Sequence, residues 1–349
     1  MRGLVFTEVG KIKLQEVEKP VLKNDTDVIV RITTTTICGS DVHLVYGHIP
    51  TTPGYVLGHE YVGVVEEVGA KVKNFKPGDR IIGPAAPYCG QCENCKKGNL
   101  AQCQNGGIHG SGKEMGDIPG THADYARVPF ADVNLLHVPD NLSDEQVLFV
   151  GDIFSTGYHA VEKGRVKPGN TVVIFGAGPV GLCAVQSAKL FNASKIILVG
   201  RKNQLRLDIG KKLGATHIIR TDQCNPLEEI ARLTDGRGAD VVIEAAGSEI
   251  ATQQALQCVG IGGVVSLVGL FPGPISLPIH QALMKNITIE MGLGYLGNMK
   301  RLLSIIEAGT VDLTPLITQK MSFDDIEEAF RLFEKNPDKV IKIAIKTQK

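Results

Sequence analysis

Thr171-Val-Val-Ile-Phe175 leads straight into Gly176-Ala-Gly-Pro-Val-Gly181, after which residues 179–191 continue with helical spacing. A short apolar strand, a G-x-G-x-x-G loop and a helix, in that order, are the setting a dinucleotide-binding turn requires. Gly176 makes the tight turn, Gly178 lets the backbone approach a pyrophosphate, and Gly181 permits close helix–strand packing. Pro179 and Val180 open the helix, whose N-terminal amides face the phosphates. A glycine-rich turn without a ligand is the competing reading, and the full strand–loop–helix context disfavours it.

Beyond this stretch, apolar runs at Lys195–Gly200, His217–Ile219, Asp240–Glu244 and Val264–Val268 alternate with helical patterns around 203–213, 226–233 and 250–258. Short, fully apolar strands between helices predict a parallel sheet covered on both faces, a doubly wound α/β fold. The second strand normally ends in an Asp or Glu for the adenosine ribose. Here it reads Val199-Gly200-Arg201-Lys202, with Arg206 one helical turn further on and no carboxylate. Those cations suit a 2′-phosphate, so NADP(H) is favoured over NAD(H), a solvated basic loop being the alternative.

The first 150 residues read differently. Short runs such as Val28-Ile-Val-Arg-Ile32 and Tyr61-Val-Gly-Val-Val65 lie between turns at Thr52-Pro-Gly54 and Lys76-Pro-Gly-Asp79. They predict an irregular, partly barrel-like β domain. In the tail, Asn298–Ala308 and Phe323–Glu334 carry amphipathic helical patterns and Lys339–Ile345 alternates as a strand.

The 349 residues suffice for about two domains. Hydrophobic residues at 43% and charged residues at 21% argue against both disorder and a membrane bundle. Lys+Arg and Asp+Glu are both 37, so no net charge draws the chain to nucleic acid or to a membrane surface, and a small-molecule partner is the default. The uncharged run Asn170–Ala188 is interrupted by Gly176, Gly178, Pro179 and Gly181, a poor membrane span. Met1–Gly10 has no apolar signal core, so the expected location is cytoplasmic, where clustered cysteines are more often metal ligands than disulfides.

Cys89, Cys92, Cys95 and Cys103 form C-x2-C-x2-C-x7-C among the turn residues Gly90, Asn94 and Gly98. Four thiolates at this spacing suit a closed, structural zinc site; an iron–sulfur cluster fits poorly because the last spacing is too long for the ferredoxin run. Lys96 and Lys97 are the lobe's adjacent cations, too few for a nucleic-acid module. A second set is scattered: Cys38-Gly-Ser40-Asp41-Val-His43, Gly58-His59-Glu60 and Gly151-Asp152. Spacing alone leaves these open between metal ligands and ordinary core residues.

Together with Lys76-Pro-Gly-Asp-Arg80 and Gly176–Gly181, these motifs resemble, in order and over essentially the whole chain, the zinc-containing alcohol dehydrogenases of the medium-chain dehydrogenase/reductase family. The resemblance implies a GroES-like β-rich catalytic domain, residues 1–154 completed by 292–349, with a Rossmann nucleotide-binding domain at 155–291. It implies two zinc ions per subunit and places Cys38, His59 and Asp152 on the catalytic one. Many members have Cys at the third position; Asp152, followed by Ser155-Thr156-Gly157, is similar to a bacterial secondary-alcohol subset. Glu60 is the carboxylate that replaces or exchanges with Asp152, and Asp41 matches the residue that orients His59. Ser40 and His43 match the proton path, and Thr156 the residue beside the nicotinamide. The implied reaction interconverts a small, secondary alcohol and its ketone in a homotetramer. An NAD-dependent diol or polyol dehydrogenase, a zinc-free quinone or enoyl reductase, and a non-catalytic dinucleotide-binding protein are the alternatives.

Overall fold

Val172, Val173, Ile174 and Phe175 are all buried, as are Ile196–Val199 and Val241–Ile243, so these strands need cover on both faces. In the computed structural model, which describes residues 1–347, they lie in a wholly parallel six-stranded sheet. Its order is His217–Arg220, Lys195–Gly200, Thr171–Phe175, Ala239–Glu244, Val259–Leu267, Thr288–Met291. Chain order reverses between Thr171–Phe175 and Ala239–Glu244, the switch point at which such sheets bind ligands. Helices Pro179–Leu190, Gln204–Leu213, Pro226–Leu233 and Glu249–Cys258 connect the strands. Pro at the first helical position fits there because its missing N–H would have had no intrahelical partner.

One strand departs from the sequence pattern. The strand expected at Val264–Val268 runs from Val259 to Leu267, because Gly260, Gly262 and Gly263 interrupt its apolar pattern while a register shift carries the pairing past them. Thr288–Met291 adds a sixth strand at the sheet edge, within the apolar stretch Ile287–Met291 that the sequence places at that end of the Rossmann sheet; its side chains are half-buried or, at Met291, exposed.

The chain divides into two compact units, Met1–Ser155 together with the stretch from Tyr295 onward, and Thr156–Gly294. In the first unit, Val28–Thr35, Tyr61–Val68, Arg80–Ile82 and Leu136–His137 pair antiparallel in sequence, with Tyr125–Val128 also on Val28–Thr35. The tail strand Lys342–Lys346 joins them through Ile345 opposite Thr35, bringing Ile317–Ser322 alongside in parallel. Helix Ile326–Lys335 turns Ile326, Ala329 and Phe330 onto Leu4, Phe6, Ile37, Leu44 and Leu57. Each such buried side chain is worth about 1.5–3 kcal/mol, so the tail supplies part of the core of the N-terminal domain. Among the described residues no helix is long and apolar enough to cross a membrane.

Candidate active site

The four cysteines of the lobe come together first. All four sulfurs lie within 4.8 Å of one another, and Cys92 Sγ is 3.9 Å from Cys103 Sγ. Tetrahedral zinc with four sulfurs requires about 3.8 Å between them. All four are free thiols. The chain wraps its own amides around them: Cys89 N–H donates to Cys103 Sγ at 3.2 Å, Cys92 N–H to Cys89 Sγ at 3.4 Å and Asn105 N–H to Cys103 Sγ at 3.4 Å. Burial opposes ionisation of Cys89, but the Asn105 amide and backbone donors bring it down to about 6, whereas burial and neighbouring thiols push Cys95 up to about 12. Without a cation the four sulfurs do not all ionise, which is the electrostatic behaviour of a metal site.

Cys38, His59, Glu60 and Asp152 form the second cluster, their donor atoms also within 4.8 Å of one another. Cys38 stands immediately before helix Gly39–Val45, where Asp41 turns back to accept its N–H at 2.8 Å. His59 precedes strand Tyr61–Val68, and Asp152 precedes helix Ile153–Lys163, which was not anticipated because Thr156 and Gly157 dilute its helical pattern. His59 Nε2 lies 3.4 Å from Asp152 Oδ2, and Cys38 Sγ lies 3.6 Å from the same oxygen. Tetrahedral zinc separates nitrogen from oxygen ligands by about 3.4 Å and sulfur from oxygen by about 3.6 Å, so the donor set fits. His59 Nδ1 faces Asp41 Oδ1 at 3.3 Å, and both atoms are buried. Burial lowers the His59 pKa, but Asp41 and Asp152 override it and hold the free imidazole well above its ordinary value. The surroundings favour positive charge at that point.

Glu60 is fully buried; one oxygen pairs with the equally buried Lys342, and Oε2 has no hydrogen-bond partner. Burial first, then Asp152, push the Glu60 carboxyl up to about 7 against the pull of Lys342. Lys342 and the buried His122, which faces Asp41, escape a reading of the sequence: Lys342 sits in a strand buried on both faces, where alternation says nothing of its side, and His122 belongs to no motif. Ser40 Oγ lies 3.2 Å from His59 Nε2. His43 is placed apart from the ligand cluster, its Nδ1 3.1 Å from His48 Nδ1. Thr156 belongs to the second unit, its hydroxyl filling the space a Cβ on Gly294 would need.

At the glycine loop, Gly176 has φ +103 and donates to Val199 O at 3.0 Å; a Cβ on Gly181 would lie 1.9 Å from Gly176 O. Both positions therefore require glycine. Gly178 precedes the helix opened by Pro179 and Val180, leaving its first amides directed outward. Arg201 and Lys202 are exposed at the end of Lys195–Gly200, and Arg206 is half-buried on the next helix. The neighbouring strand places Arg220 opposite Gly200, and Asp222, bonded to Arg220 at 2.9 Å, is held below the usual carboxylate range chiefly by that bond, with Arg201 adding to it. The stretch after Val199 holds no carboxylate; the sheet brings one from residue 222.

Residues 24–140 match the family profile described as "Alcohol dehydrogenase GroES-like domain", and residues 179–308 that described as "Zinc-binding dehydrogenase". The chain is 38% identical to an "Alcohol dehydrogenase" of Cupriavidus necator, over 99% of this chain and 98% of that one. It is 35% identical to the "NADP-dependent isopropanol dehydrogenase" of Thermoanaerobacter brockii, over 98% of each. The solved structure of alcohol dehydrogenase TADH from Thermus sp. ATN1 superposes with a TM-score of 0.94 at 36% identity, covering 99% of both chains. Two donor clusters that fit zinc, a dinucleotide turn at the switch point of a Rossmann sheet, and whole-length likeness to such enzymes place this chain in the zinc-type alcohol dehydrogenases of the medium-chain dehydrogenase/reductase family, NAD(P)-dependent oxidoreductases built from a GroES-like and a Rossmann domain.

Proposed function

We propose that this enzyme reversibly oxidises a small secondary alcohol to its ketone with NADP(H), and that each subunit of a cytoplasmic homotetramer holds two zinc ions. Residues 1–154 with 292–349 form the catalytic domain, and 155–291 the nucleotide-binding domain. Cys89, Cys92, Cys95 and Cys103 hold a structural ion; Cys38, His59 and Asp152 hold the catalytic one, with Glu60 able to exchange with Asp152. The main support is the convergence of Cys38 Sγ, His59 Nε2 and Asp152 Oδ2 at tetrahedral separations, three donors where a closed site has four. Zinc supplies Lewis acidity that acidifies the substrate hydroxyl, and the nicotinamide supplies the hydride acceptor.

The chain's own groups position the reactants and move the proton. Asp41 keeps the proton of His59 on Nδ1, which leaves Nε2 as the ligand atom. Ser40 takes up the substrate's proton and His43 delivers it to solvent. Burial first, then His48, lowers the pKa of His43, which favours the neutral, proton-accepting ring. Thr156 packs beside the nicotinamide.

Arg201 and Lys202, with Arg206 behind them, support NADP(H), and the name of the Thermoanaerobacter relative supports both that cofactor and a secondary alcohol. Asp222, just past the neighbouring strand and bonded to Arg220, favours a second reading, NAD(H) with a diol or polyol, because it offers an acceptor to a ribose hydroxyl. Comparing kcat/KM for 2-propanol, 2,3-butanediol and sorbitol with both cofactors separates the two. NADP(H) is expected to lead by about tenfold or more, and Arg201→Asp to reverse that order. Equal or better efficiency with NAD(H) in the unmodified enzyme assigns Arg201 and Lys202 to solvent.

A further inference from the structure

Asp41 serves two histidines. Its Oδ1 faces His59 Nδ1 at 3.3 Å, while its Oδ2 accepts the Cys38 N–H at 2.8 Å and faces His122 Nε2 at 3.3 Å. Both Asp41 and His122 are 0% exposed. A carboxylate only accepts, so the ring nitrogen of His122 that faces it carries a proton. The other ring nitrogen, Nδ1, lies 2.9 Å from the Thr35 hydroxyl, which is also 2.8 Å from Glu60 O. The His122 backbone is also fixed, its N–H bonded to Leu57 O at 2.8 Å and its carbonyl to Leu4 N–H at 2.8 Å.

A second observation ties this ring to His59. Gly58, at φ +95, could not carry a Cβ, which would lie 2.4 Å from His122 Cγ and Nδ1. The His122 ring occupies the place of a side chain at position 58 and thereby sets how the chain enters His59. A buried carboxylate held by a single donor can turn about its terminal torsion, which is broad. Held on Oδ2 by both His122 and Cys38, Asp41 keeps Oδ1 directed at His59.

We propose that His122 is a positioning residue for the catalytic metal: through Asp41 it fixes the His59 ring so that Nε2 points at the ion. The proposal rests on the assignment of Cys38, His59 and Asp152 as ligands. Partners one layer behind a ligand typically change metal affinity by about 10–100-fold.

The test follows zinc release from the full-length holoenzyme to a chromogenic chelator, together with thermal stability and the visible spectrum of enzyme carrying cobalt in the catalytic position. His122→Phe keeps the ring and removes both nitrogens; it is expected to speed release of one of the two ions by about tenfold and to change the cobalt spectrum, with release from the cysteine lobe unchanged. His122→Gln, which restores a donor toward Asp41, should recover most of the retention. If His122→Phe does not fold, His122→Asn, whose amide is too short to reach Asp41, takes its place with the same expectation. Unaltered release and spectrum in a variant of unmodified stability overturn the proposal, and so does faster release of both ions in step with a falling melting temperature. A wild-type enzyme holding one zinc per chain overturns the ligand assignment itself, and the proposal with it.

Discussion

The cysteine lobe draws its four donors from residues 89–103 and secures them with its own backbone amides, whereas Cys38 and Asp152 are 114 residues apart and their cluster is secured by side chains from distant strands. Among the described residues its apolar cluster is small: Cys89, Cys95 and Leu100 are buried and packed against Tyr88, Phe130 and Tyr295. An ion bound there, as proposed, would supply folding energy directly. The dispersed cluster lies in a unit already held by two apolar cores, so its fold would not depend on an ion, and three donors of the proposed ligand set would leave a position for substrate. Local donors suit a closed scaffold; donors from far apart suit an open site.

The sharpest break between the two comes from Asp152→Ala. It should lower kcat by about a thousandfold or more and remove one zinc per chain, with circular dichroism unchanged. Retention of both ions with activity lost would make Glu60 the working ligand, and unfolding would erase the contrast. Next in size is Lys342→Met. Removing one member of a fully buried pair costs about 3–5 kcal/mol, measurable by chemical denaturation, and Glu60→Gln added to it should restore most of the loss. A cost near zero would mean that side chains do not secure this cluster.

Cys92→Ala acts on the other side of the comparison. Cleavage by a protease between residues 88 and 105 should accelerate by at least about tenfold, with the catalytic zinc and most activity kept. Global unfolding at the same rate would show that the lobe is not a separate unit of stability. The smallest effect is expected at Asp144, away from both clusters, which accepts from the Thr33 and Thr34 hydroxyls at 2.7 and 2.6 Å and from Arg80 Nη2 at 2.8 Å. Burial would raise its pKa, but the hydroxyls of Thr34 and Thr33 and then Arg80 hold it below the usual carboxylate range. A lowered folded-state pKa stabilises above the unfolded value and ceases to as pH falls through the folded one. Asp144→Asn should therefore cost about 1 kcal/mol at pH 7 after solvent screening, and in urea titrations the difference should begin to shrink near about pH 4 and disappear only below the lowered folded-state pKa. Zinc content should not change.

Features set within a few residues were legible directly. Thr171–Gly181 combines a strand, a turn that only glycine can make and a proline-started helix, each fixed by local backbone sterics, and the lobe's thiols are neighbours because turns bring them together. The alternation of strand and helix and the four-thiol cluster follow from such local terms. Pairings across the chain were not legible: Lys342 with Glu60 and His122 with Asp41. Neither has a period or a spacing to betray it. Burial chose these partners, because a charge or a ring nitrogen taken out of water must meet a complementary group, and which group stands there depends on how the sheets close. The glycine turn and the four-cysteine lobe are written in short stretches of chain, whereas the groups that hold Glu60 and Asp41 in place come together only when distant stretches pack.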